Sequence, residues 1–374
     1  MMDKRGETRN DKVFFVPPPE STDLPTRKPT IDDVAALSGV GRATVSRVLN
    51  GGPNVRDEVR ARVLQAVEKL QYKVNMQARF LAGGRTQTLG LIYASDLDSE
   101  PNSFYHSGLE LGALRACTDF GFQLVMHTIN QHSLTKAAKI VEFVDQHRCD
   151  GLILTPPFSD DTDLLRQLQG RNLPVVCISP GAEAQAIASG VGIDDEVASY
   201  ELTRHLLGMG HRRFGFVKGL AGHLSAEQRY SGFLRALSEA GVGEETVVTA
   251  RGNFTFRSGV ELTPGLLQGA KPPTALICAN DDMAVGALFS IHKMGMNVPS
   301  DLSLVGFDDT PVSEIIWPPL TTVHQPLKAM GYRAVEIIIE RIKNGGVAPA
   351  ARFEIIPHRV VIRESSAVPQ TVAV

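Results

Sequence analysis

The stretch Thr30-Ile-Asp-Asp-Val-Ala-Ala-Leu-Ser-Gly-Val-Gly-Arg-Ala-Thr-Val-Ser-Arg-Val-Leu-Asn50 decides the fold of the first part of this 374-residue chain. Thr30 and Asp33 form the Thr-x-x-Asp pattern of a capping box, which predicts that a helix begins there. Gly39 ends that helix, and a second helix is predicted from Arg42 to Leu49. The apolar residues that would face inward on these two helices are Ile31, Val34, Ala35, Leu37, Val45, Val48 and Leu49.

A third helix is predicted from Asp57 to Leu70, after the Asn50-Gly-Gly-Pro53 break. Its apolar residues recur at helical spacing, at Val59, Val63, Val67 and Leu70. Two short helices joined by a turn that contains glycine, with a third helix packed behind them, form a helix-turn-helix unit.

Charge is distributed unevenly along the chain, although the net charge is only −3. From Arg27 to Arg85 there are eleven Lys and Arg against five Asp and Glu, whereas from Thr86 onward there are 23 against 31. A basic module ahead of an acidic body is typical of a nucleic-acid-binding protein with a separate regulatory domain. Charge alone favours this interpretation only weakly, because small helical segments are often basic.

From Thr86 the pattern changes to apolar strands that alternate with amphipathic helices. The predicted strands are Leu89–Tyr93, Gln123–His127, Gly151–Thr155, Val175–Ser179, Arg213–Lys218, Ala275–Ala279, Ser303–Gly306 and Thr321–Val323. The predicted helices are His106–Phe120, Lys136–His147, Val197–Met209, Ala226–Ala240 and Met283–Met294. This α/β alternation predicts parallel sheets covered by helices. Because the body is too long for one open sheet, we expect two lobes with a ligand in the cleft between them.

The sequence therefore predicts five parts: a disordered tail over 1–28, a headpiece over 29–74, a linker over 75–86, a two-lobed domain over 87–366 and a flexible tail over 367–374. No apolar run reaches membrane-spanning length, and the first residues lack a signal-peptide core. We therefore expect a cytoplasmic protein. The four cysteines stand singly in apolar segments, which favours buried reduced thiols over zinc or disulfide sites. We expect no metal and no cofactor.

The Thr30–Asn50 stretch resembles the headpiece of the lactose-repressor (LacI/GalR) family. The similarity spans Pro29 to Ser366, and later segments carry it as well: Asn75–Ala82, Asp150–Ile153, Gly210–Arg212, Ala279–Ala287, Val305–Asp309 and Pro319–Val323. The resemblance implies a helix-turn-helix headpiece, a hinge helix and a two-lobed periplasmic-binding-protein-like domain. It also implies a DNA-binding transcription regulator, a repressor of carbohydrate-utilisation genes whose operator affinity a small effector controls. Such a protein associates with the nucleoid when it is bound to DNA.

The resemblance assigns DNA contacts to the second helix and its flanks. Arg42, Ala43 and Arg47 match the positions that read base edges in the major groove, where one arginine can bind one guanine through two hydrogen bonds. The other expected DNA-binding residues of the headpiece are Thr30, Thr44, Ser46, Asn50, Asn54 and Arg56. For Thr44 helix packing is the favoured explanation, and the alternative for Arg47 is a surface charge.

The linker stretch resembles the family's hinge helix, which folds only on the operator. Leu81 matches the leucine that wedges between central base pairs in the minor groove, and Asn75 and Ala78 are expected beside it at the DNA. The alternative is an ordinary linker with an incidental leucine.

The resemblance also assigns an effector site in the body. Arg229 would donate to effector oxygens, Asn280 and Asp308 would hold hydroxyl groups, and Phe254 would stack on a ring. The remaining expected effector-binding residues are Phe104, Tyr105, Thr155, Ser179 and Gln325. Core packing is the alternative for Phe254, and Asp281, Asp282 and Asp309 are expected to be helix caps or surface charges.

Four departures from the family pattern matter. Gly41 stands where serine is common at the N-cap of the second helix, and Val74 stands where many members have proline. The pair Arg42–Ala43 differs from that of the lactose repressor, so the operator sequence does not carry over. The C-terminal SSAVPQTVAV lacks the leucine heptad of the lactose repressor's tetramerising helix, so we expect a homodimer on a pseudo-palindromic operator.

Other classes of protein fit the sequence less well. A sugar-binding transport protein would need an export signal and would not use Thr30–Leu81. No GxSxG, HExxH, Walker loop or strand-linked GxGxxG occurs, which disfavours an enzyme. For the effector, a sugar or sugar phosphate is favoured over a purine or nucleoside. The pair Phe104–Tyr105 keeps the nucleobase open, because two rings could sandwich a base.

Overall fold

The computed structural model describes residues 29–49, 52, 55–72, 86–94, 103–344 and 351–370. Along the chain, two compact units divide between Arg85 and Thr86. The predicted tail over 1–28 and the predicted contacts Asn50, Asn54, Asn75, Ala78 and Leu81 lie outside the described residues.

The first unit contains three helices, α1 (Ile31–Ser38), α2 (Arg42–Leu49) and α3 (Asp57–Lys69). The predicted capping interaction is present, because the Asp33 carboxylate accepts hydrogen bonds from the backbone nitrogen (2.7 Å) and hydroxyl (2.8 Å) of Thr30. Gly39 ends α1 in the left-handed region, with φ +65°. The helices share a core of Val34, Val45, Val48, Val63, Ala66 and Tyr72.

The second unit opens with a six-stranded parallel sheet in the order β11-β5-β4-β3-β1-β2. Its strands are β1 (Thr88–Ala94), β2 (Gln123–Ile129), β3 (Gly151–Leu154), β4 (Val175–Ile178), β5 (Ser189–Gly192) and β11 (Phe353–Ile355). The helices that follow its strands are α4 (Ser103–Phe120), α5 (Lys136–His147), α6 (Thr162–Gly170) and the short α7 (Ala182–Gln185). We call this sheet and its helices the first lobe.

The second lobe is built on a four-stranded parallel sheet in the order β7-β6-β8-β9. Its strands are β6 (Phe214–Lys218), β7 (Val247–Arg251), β8 (Ala275–Cys278) and β9 (Ser303–Val305). Its helices are α8 (Asp195–Gly208), α9 (Leu224–Glu239), α10 (Phe256–Leu267), α11 (Asp281–Lys293) and α12 (Val312–Ile315).

The chain passes between the two lobes three times. It leaves the first lobe after β5, returns after β10 (Thr322–His324) through α13 (Leu327–Lys343), and leaves again after β11. β12 (Arg359–Val361) then pairs antiparallel with β10. Because α13 contacts α4, β4 and β5, a helix from late in the sequence completes the first lobe.

The α/β architecture with an N-terminal helix-turn-helix unit confirms the predicted fold class. Strand burial explains why the prediction worked: β1, β3, β4, β6 and β8 are almost entirely buried, as parallel strands covered on both faces must be. All four cysteines are buried and free. No helix within the described ranges is long and apolar enough to cross a membrane.

Candidate functional site

Helix α2 presents two chemically different faces. Val45 and Val48 are buried in the three-helix core, whereas Arg42, Ala43 and Arg47 are exposed. At 3.6 residues per turn, these three exposed positions lie on the side of α2 away from the two valines. The face that the sequence assigned to base reading is therefore not occupied by packing within this unit.

The end of α2 is tied to the loop that follows. Gly52 donates its N–H to the Arg47 carbonyl (2.8 Å), and Arg60 of α3 donates to the Gly52 carbonyl (3.1 Å). Arg56 is exposed just before α3, and Ser46 is half-buried on α2. The Thr30 hydroxyl already donates to Asp33, so its contact with a phosphate remains a prediction.

In the second unit, Arg229 forms the centre of a buried polar cluster. It projects from α9 and donates from Nε to Asp195 Oδ1 (2.8 Å) and from Nη1 to the Ala279 carbonyl (2.6 Å). Its guanidinium carbon lies 3.7 Å from the centre of the Phe307 ring. Asp308 Oδ1 stands 3.6 Å from Nη1.

Asp308 connects this cluster to the segment after β10. Gln325 donates from Nε2 to Asp308 Oδ1 at 2.8 Å, and both residues are buried. Burial raises the pKa of Tyr105, and the charges of Asp308, Arg229 and Asp195 also act on it. Three of the predicted effector residues, Arg229, Asp308 and Gln325, are in direct contact, and Tyr105 lies within electrostatic range of them.

Asn280 and Phe254 form a second pair, in the segments that follow strands β8 and β7 of the second lobe. The Asn280 side chain caps α11 by accepting from Met283 N (3.0 Å), and its amide donates to the Phe254 carbonyl (3.0 Å). The Phe254 ring is half-buried and meets His223 edge to face, with 4.9 Å between ring centres. Burial lowers the pKa of His223 to about 3. The Asn280 side chain therefore connects the start of α11 to the loop that carries Phe254, one through its oxygen and the other through its nitrogen.

The first lobe contributes residues that follow β3 and β4. The Thr155 hydroxyl donates to the Ile92 carbonyl (3.0 Å), which binds it to β1. Ser179 is buried with φ +45°, two residues before Gly181. Gly181 donates its N–H to Asp160 Oδ1 (2.7 Å), and a Cβ added at Gly181 would collide with Leu224 at the start of α9. The loop after β4 therefore faces the helix that carries Arg229. Phe104, in contrast, is exposed on α4.

Sequence reasoning missed Asp195, which binds Arg229 more closely than any predicted residue does. Asp195 follows β5, a strand of Ser-Gly-Val-Gly that has little apolar signal. A pattern search that admitted short glycine strands would have placed Ile193-Asp-Asp195 after a strand, where ligand-binding residues collect.

The expectation that Asp281 is a helix cap or surface charge is wrong. It is fully buried, and its carboxylate accepts from Thr322 Oγ1 (2.6 Å) and from the Thr310 backbone nitrogen (2.8 Å). Burial raises its pKa to about 7. Asp309 is half-buried between Arg363 (2.6 Å) and His324 (2.8 Å). Asp281 and Asp309 therefore connect the segment that follows β9 to strand β10.

Arg229 stays charged in this environment. Burial by itself lowers the pKa of the guanidinium, but the adjacent carboxylates of Asp195 and Asp308 raise it on balance. The cluster can therefore present a fixed guanidinium, carboxylates, an amide and a phenol to a small molecule. It resembles a binding site with convergent polar groups more than a reaction centre.

Comparison with known proteins identifies both units. Residues 30–75 match the family model for bacterial regulatory proteins of the lacI family, and residues 203–366 match that for a periplasmic binding protein-like domain. The HTH-type transcriptional repressor PurR of Aliivibrio salmonicida is 34% identical over 84% of this chain and 92% of its own.

Two solved structures are also similar across most of the chain. A complex of the transcriptional regulator CelR with cellobiose is 31% identical, with a TM-score of 0.68 over 90% of this chain and 100% of that one. The lac repressor dimer bound to operator and the anti-inducer ONPF is 26% identical, with a TM-score of 0.76 over 91% and 100%.

Proposed function

The chain belongs to the lacI family of bacterial regulatory proteins, and from that premise we propose how it reads DNA and which molecule controls it. It is a sequence-specific DNA-binding transcription regulator. Its Arg42, Ala43 and Arg47 side chains contact base edges in the major groove. The observation that carries this assignment is the exposed face of α2, whose opposite face is buried at Val45 and Val48.

The regulated genes serve carbohydrate utilisation, and the effector is a sugar bound between the two lobes. The cluster around Arg229 supports this assignment, because polar side chains converge beside the aromatic residues Tyr105 and Phe254. The CelR–cellobiose complex, similar over nine-tenths of this chain, supports the same effector class. The PurR relative favours the alternative, a purine or nucleoside effector.

The protein acts as a homodimer on an operator with two related half-sites. Exposed apolar side chains in both lobes fit an interface with a second copy: Leu111 and Leu114 on α4, Met126 on β2, Val248 on β7, and Phe256 and Phe289 on α10 and α11. The dimeric lac repressor, which is similar over most of this chain, supports this assembly.

Effector binding changes operator affinity by favouring one arrangement of the lobes. Since the predicted cleft contacts come from both lobes, an effector that binds them in one arrangement shifts the population towards it. The linker over 75–86, with Leu81 as the minor-groove wedge, transmits that shift to the headpieces. Whether the effector releases or promotes DNA binding depends on which arrangement the operator prefers.

Binding selection on random DNA tests the reading function. The full chain is expected to return an inverted repeat, because each headpiece of the dimer binds one half-site. Recovery of sequences without two-fold symmetry would contradict the dimeric reading. Thermal unfolding with sugars, sugar phosphates and nucleosides then ranks the effectors, because a ligand of the folded state raises Tm by mass action.

A further inference from the structure

The charge of Arg229 is already matched inside the protein. Its Nε lies 2.8 Å from Asp195 Oδ1 and its Nη1 lies 3.6 Å from Asp308 Oδ1, and all three side chains are buried. If Asp308 is ionised the trio is negative, and if Asp308 holds a proton the trio is neutral. In neither form does the cleft offer an uncompensated positive charge to a ligand.

Several buried oxygen atoms in the same region lack a hydrogen-bond partner in the described part of the chain. They are Gln325 Oε1 beside Asp308, and Asp160 Oδ2, Ser159 Oγ and Ser179 Oγ at the ends of β3 and β4. Gln325 and Ser179 are at least nine-tenths buried. A buried polar atom without a partner is costly. Gln325 Oε1 and an ionised Asp160 carboxylate can only accept, so they call for a ligand that brings hydrogen-bond donors, whereas the two serine hydroxyls can donate or accept.

The segments that carry the oxygens of the first lobe lie beside α9, the helix that carries Arg229. Asp160 holds the Gly181 N–H through its other oxygen, and Gly181 lies against Leu224, which begins α9. Burial raises the pKa of Asp160, although the bond from Gly181 opposes the rise. The segments that carry these oxygens therefore lie beside the start of the helix that carries Arg229.

We propose that the effector is an uncharged polyhydroxy compound, and that Asp195 is the residue that excludes phosphorylated and acidic forms of it. The proposal rests on the assignment of the cleft between the lobes as the effector site. Hydroxyl groups can donate to the unpaired oxygens and accept from Tyr105 or Arg229 without breaking the Arg229–Asp195 bond. An ionised phosphate or carboxylate group brings no hydrogen-bond donor of its own, and its negative charge would stand beside Asp195 and Asp308, which repel it.

Calorimetry on the full-length protein with matched pairs tests the charge rule. The pairs are glucose and glucose 6-phosphate, glucose and glucuronate, ribose and ribose 5-phosphate, and adenosine and AMP. Wherever either member binds, we expect the neutral member to bind at least about tenfold more tightly. Tighter binding of any phosphorylated or acidic member would overturn the proposal.

The variant Asp195→Asn tests the assigned residue. Asparagine keeps the shape and can still accept from Arg229, but it frees the guanidinium charge. We expect the preference for the neutral member to shrink by at least about tenfold. Asp163→Asn removes one negative charge from a fully exposed site on α6 and serves as the matched control, with an unchanged preference. An unchanged preference in Asp195→Asn would overturn the assignment of Asp195 as the residue that excludes charged forms.

Inorganic phosphate supplies a test that needs no knowledge of the effector. At constant ionic strength, phosphate is expected to raise the Tm of Asp195→Asn while leaving the wild type and Asp163→Asn unchanged. Equal responses of wild type and Asp195→Asn would overturn the proposal. If nucleosides bind and sugars do not, the sugar assignment fails, while adenosine against AMP still decides the charge rule.

Discussion

Arg47 and Val48 are neighbours on α2 with opposite surroundings, since Arg47 is exposed and Val48 is buried in the headpiece core. The proposed base recognition is therefore separable from folding at single residues. An exposed arginine on such a face contributes to binding through the groove that it enters, and contributes little to the stability of its own helix.

Substituting Arg47→Ala is expected to weaken binding to the selected operator by roughly 10- to 100-fold, because a bidentate arginine–guanine contact is worth about 1–3 kcal/mol. Binding to random DNA should fall much less, and Tm should be unchanged. Electrophoretic mobility shifts on both DNAs measure this. Arg62→Ala, on the exposed side of α3, is the control. Equal losses on operator and random DNA would instead mean that Arg47 contacts phosphates.

His106 connects protonation to stability. Burial lowers its pKa to about 4, and its ring lies 4.3 Å from that of Tyr93. The unfolded chain, with an ordinary histidine pKa near 6.5, binds more protons between these two values. Stability is therefore present above pH 6.5 and falls as pH drops towards 4.

We expect His106→Gln to flatten that acid-side slope by roughly 1 kcal/mol per pH unit. Urea unfolding at pH 7, 5.5 and 4.5 measures the slope. His132→Gln, in the exposed loop after β2, should leave the slope as in the wild type. A slope that His106→Gln does not alter would assign the acid sensitivity to other groups.

At the scale of elements, helices pack at glycines that let their backbones meet. A Cβ at Gly331 of α13 would collide with the Leu109 carbonyl of α4, and one at Gly112 of α4 would collide with the Lys328 carbonyl of α13. The same close approach occurs between α8 and α9 at Gly232. The first lobe thus depends on a narrow helix crossing.

Gly331→Ala is expected to destabilise the protein by about 1–3 kcal/mol, because the backbones must move apart to admit the methyl group. Gly265→Ala is the matched control in α10, where an added Cβ meets no heavy atom within 4 Å. There alanine should stabilise by about 0.5–1 kcal/mol through its better helix propensity. Chemical denaturation compares the two. Stabilisation by Gly331→Ala would contradict the close crossing.

Elements with strong periodicity were predictable, and weak ones were not. Lys136–His147 was predicted with the observed bounds of α5, because its apolar residues recur at helical spacing. β5 was missed because two of its four residues are glycine, and β7 because it is a largely exposed edge strand. α10 was missed because Pro264 interrupts its helical pattern.

The candidate effector site was predictable only in part, because a sequence pattern does not show which distant residues meet in the fold. Arg229, Asp308 and Gln325 could be placed by resemblance and are in contact. The pairing of Asp195 with Arg229 could not be found, since it joins residues 34 positions apart across two helices. Composition and spacing carry no information on that distance.

At the scale of the whole molecule, exposed apolar side chains bear on assembly. Phe256 and Phe289 are exposed although their rings lie 6.1 Å apart on adjacent helices. Aromatic residues left in water in this way are typical of surfaces that a partner covers. In the proposed homodimer, that partner is a second copy of the chain.

Phe289→Glu is therefore expected to shift the protein from dimer to monomer in sedimentation velocity, because a carboxylate would be buried without a partner. Operator affinity should fall with it, since two half-sites are no longer bound by one particle. Leu134→Glu, at a fully exposed loop position, is the control and should remain dimeric. A dimeric Phe289→Glu would place the interface elsewhere.

The three passages between the lobes also constrain biosynthesis. The first lobe requires α13 and β11, and the second requires residues close to the chain end: Leu304 of β9 donates to the Ser365 carbonyl (2.8 Å), and Ser303 Oγ donates to the Ala367 carbonyl (3.0 Å). Neither lobe is a continuous piece of polypeptide. A growing chain on the ribosome cannot complete the first lobe until β11 has emerged, or the second until about residue 367 has emerged. This body therefore folds at the end of synthesis, long after the headpiece sequence has left the exit tunnel.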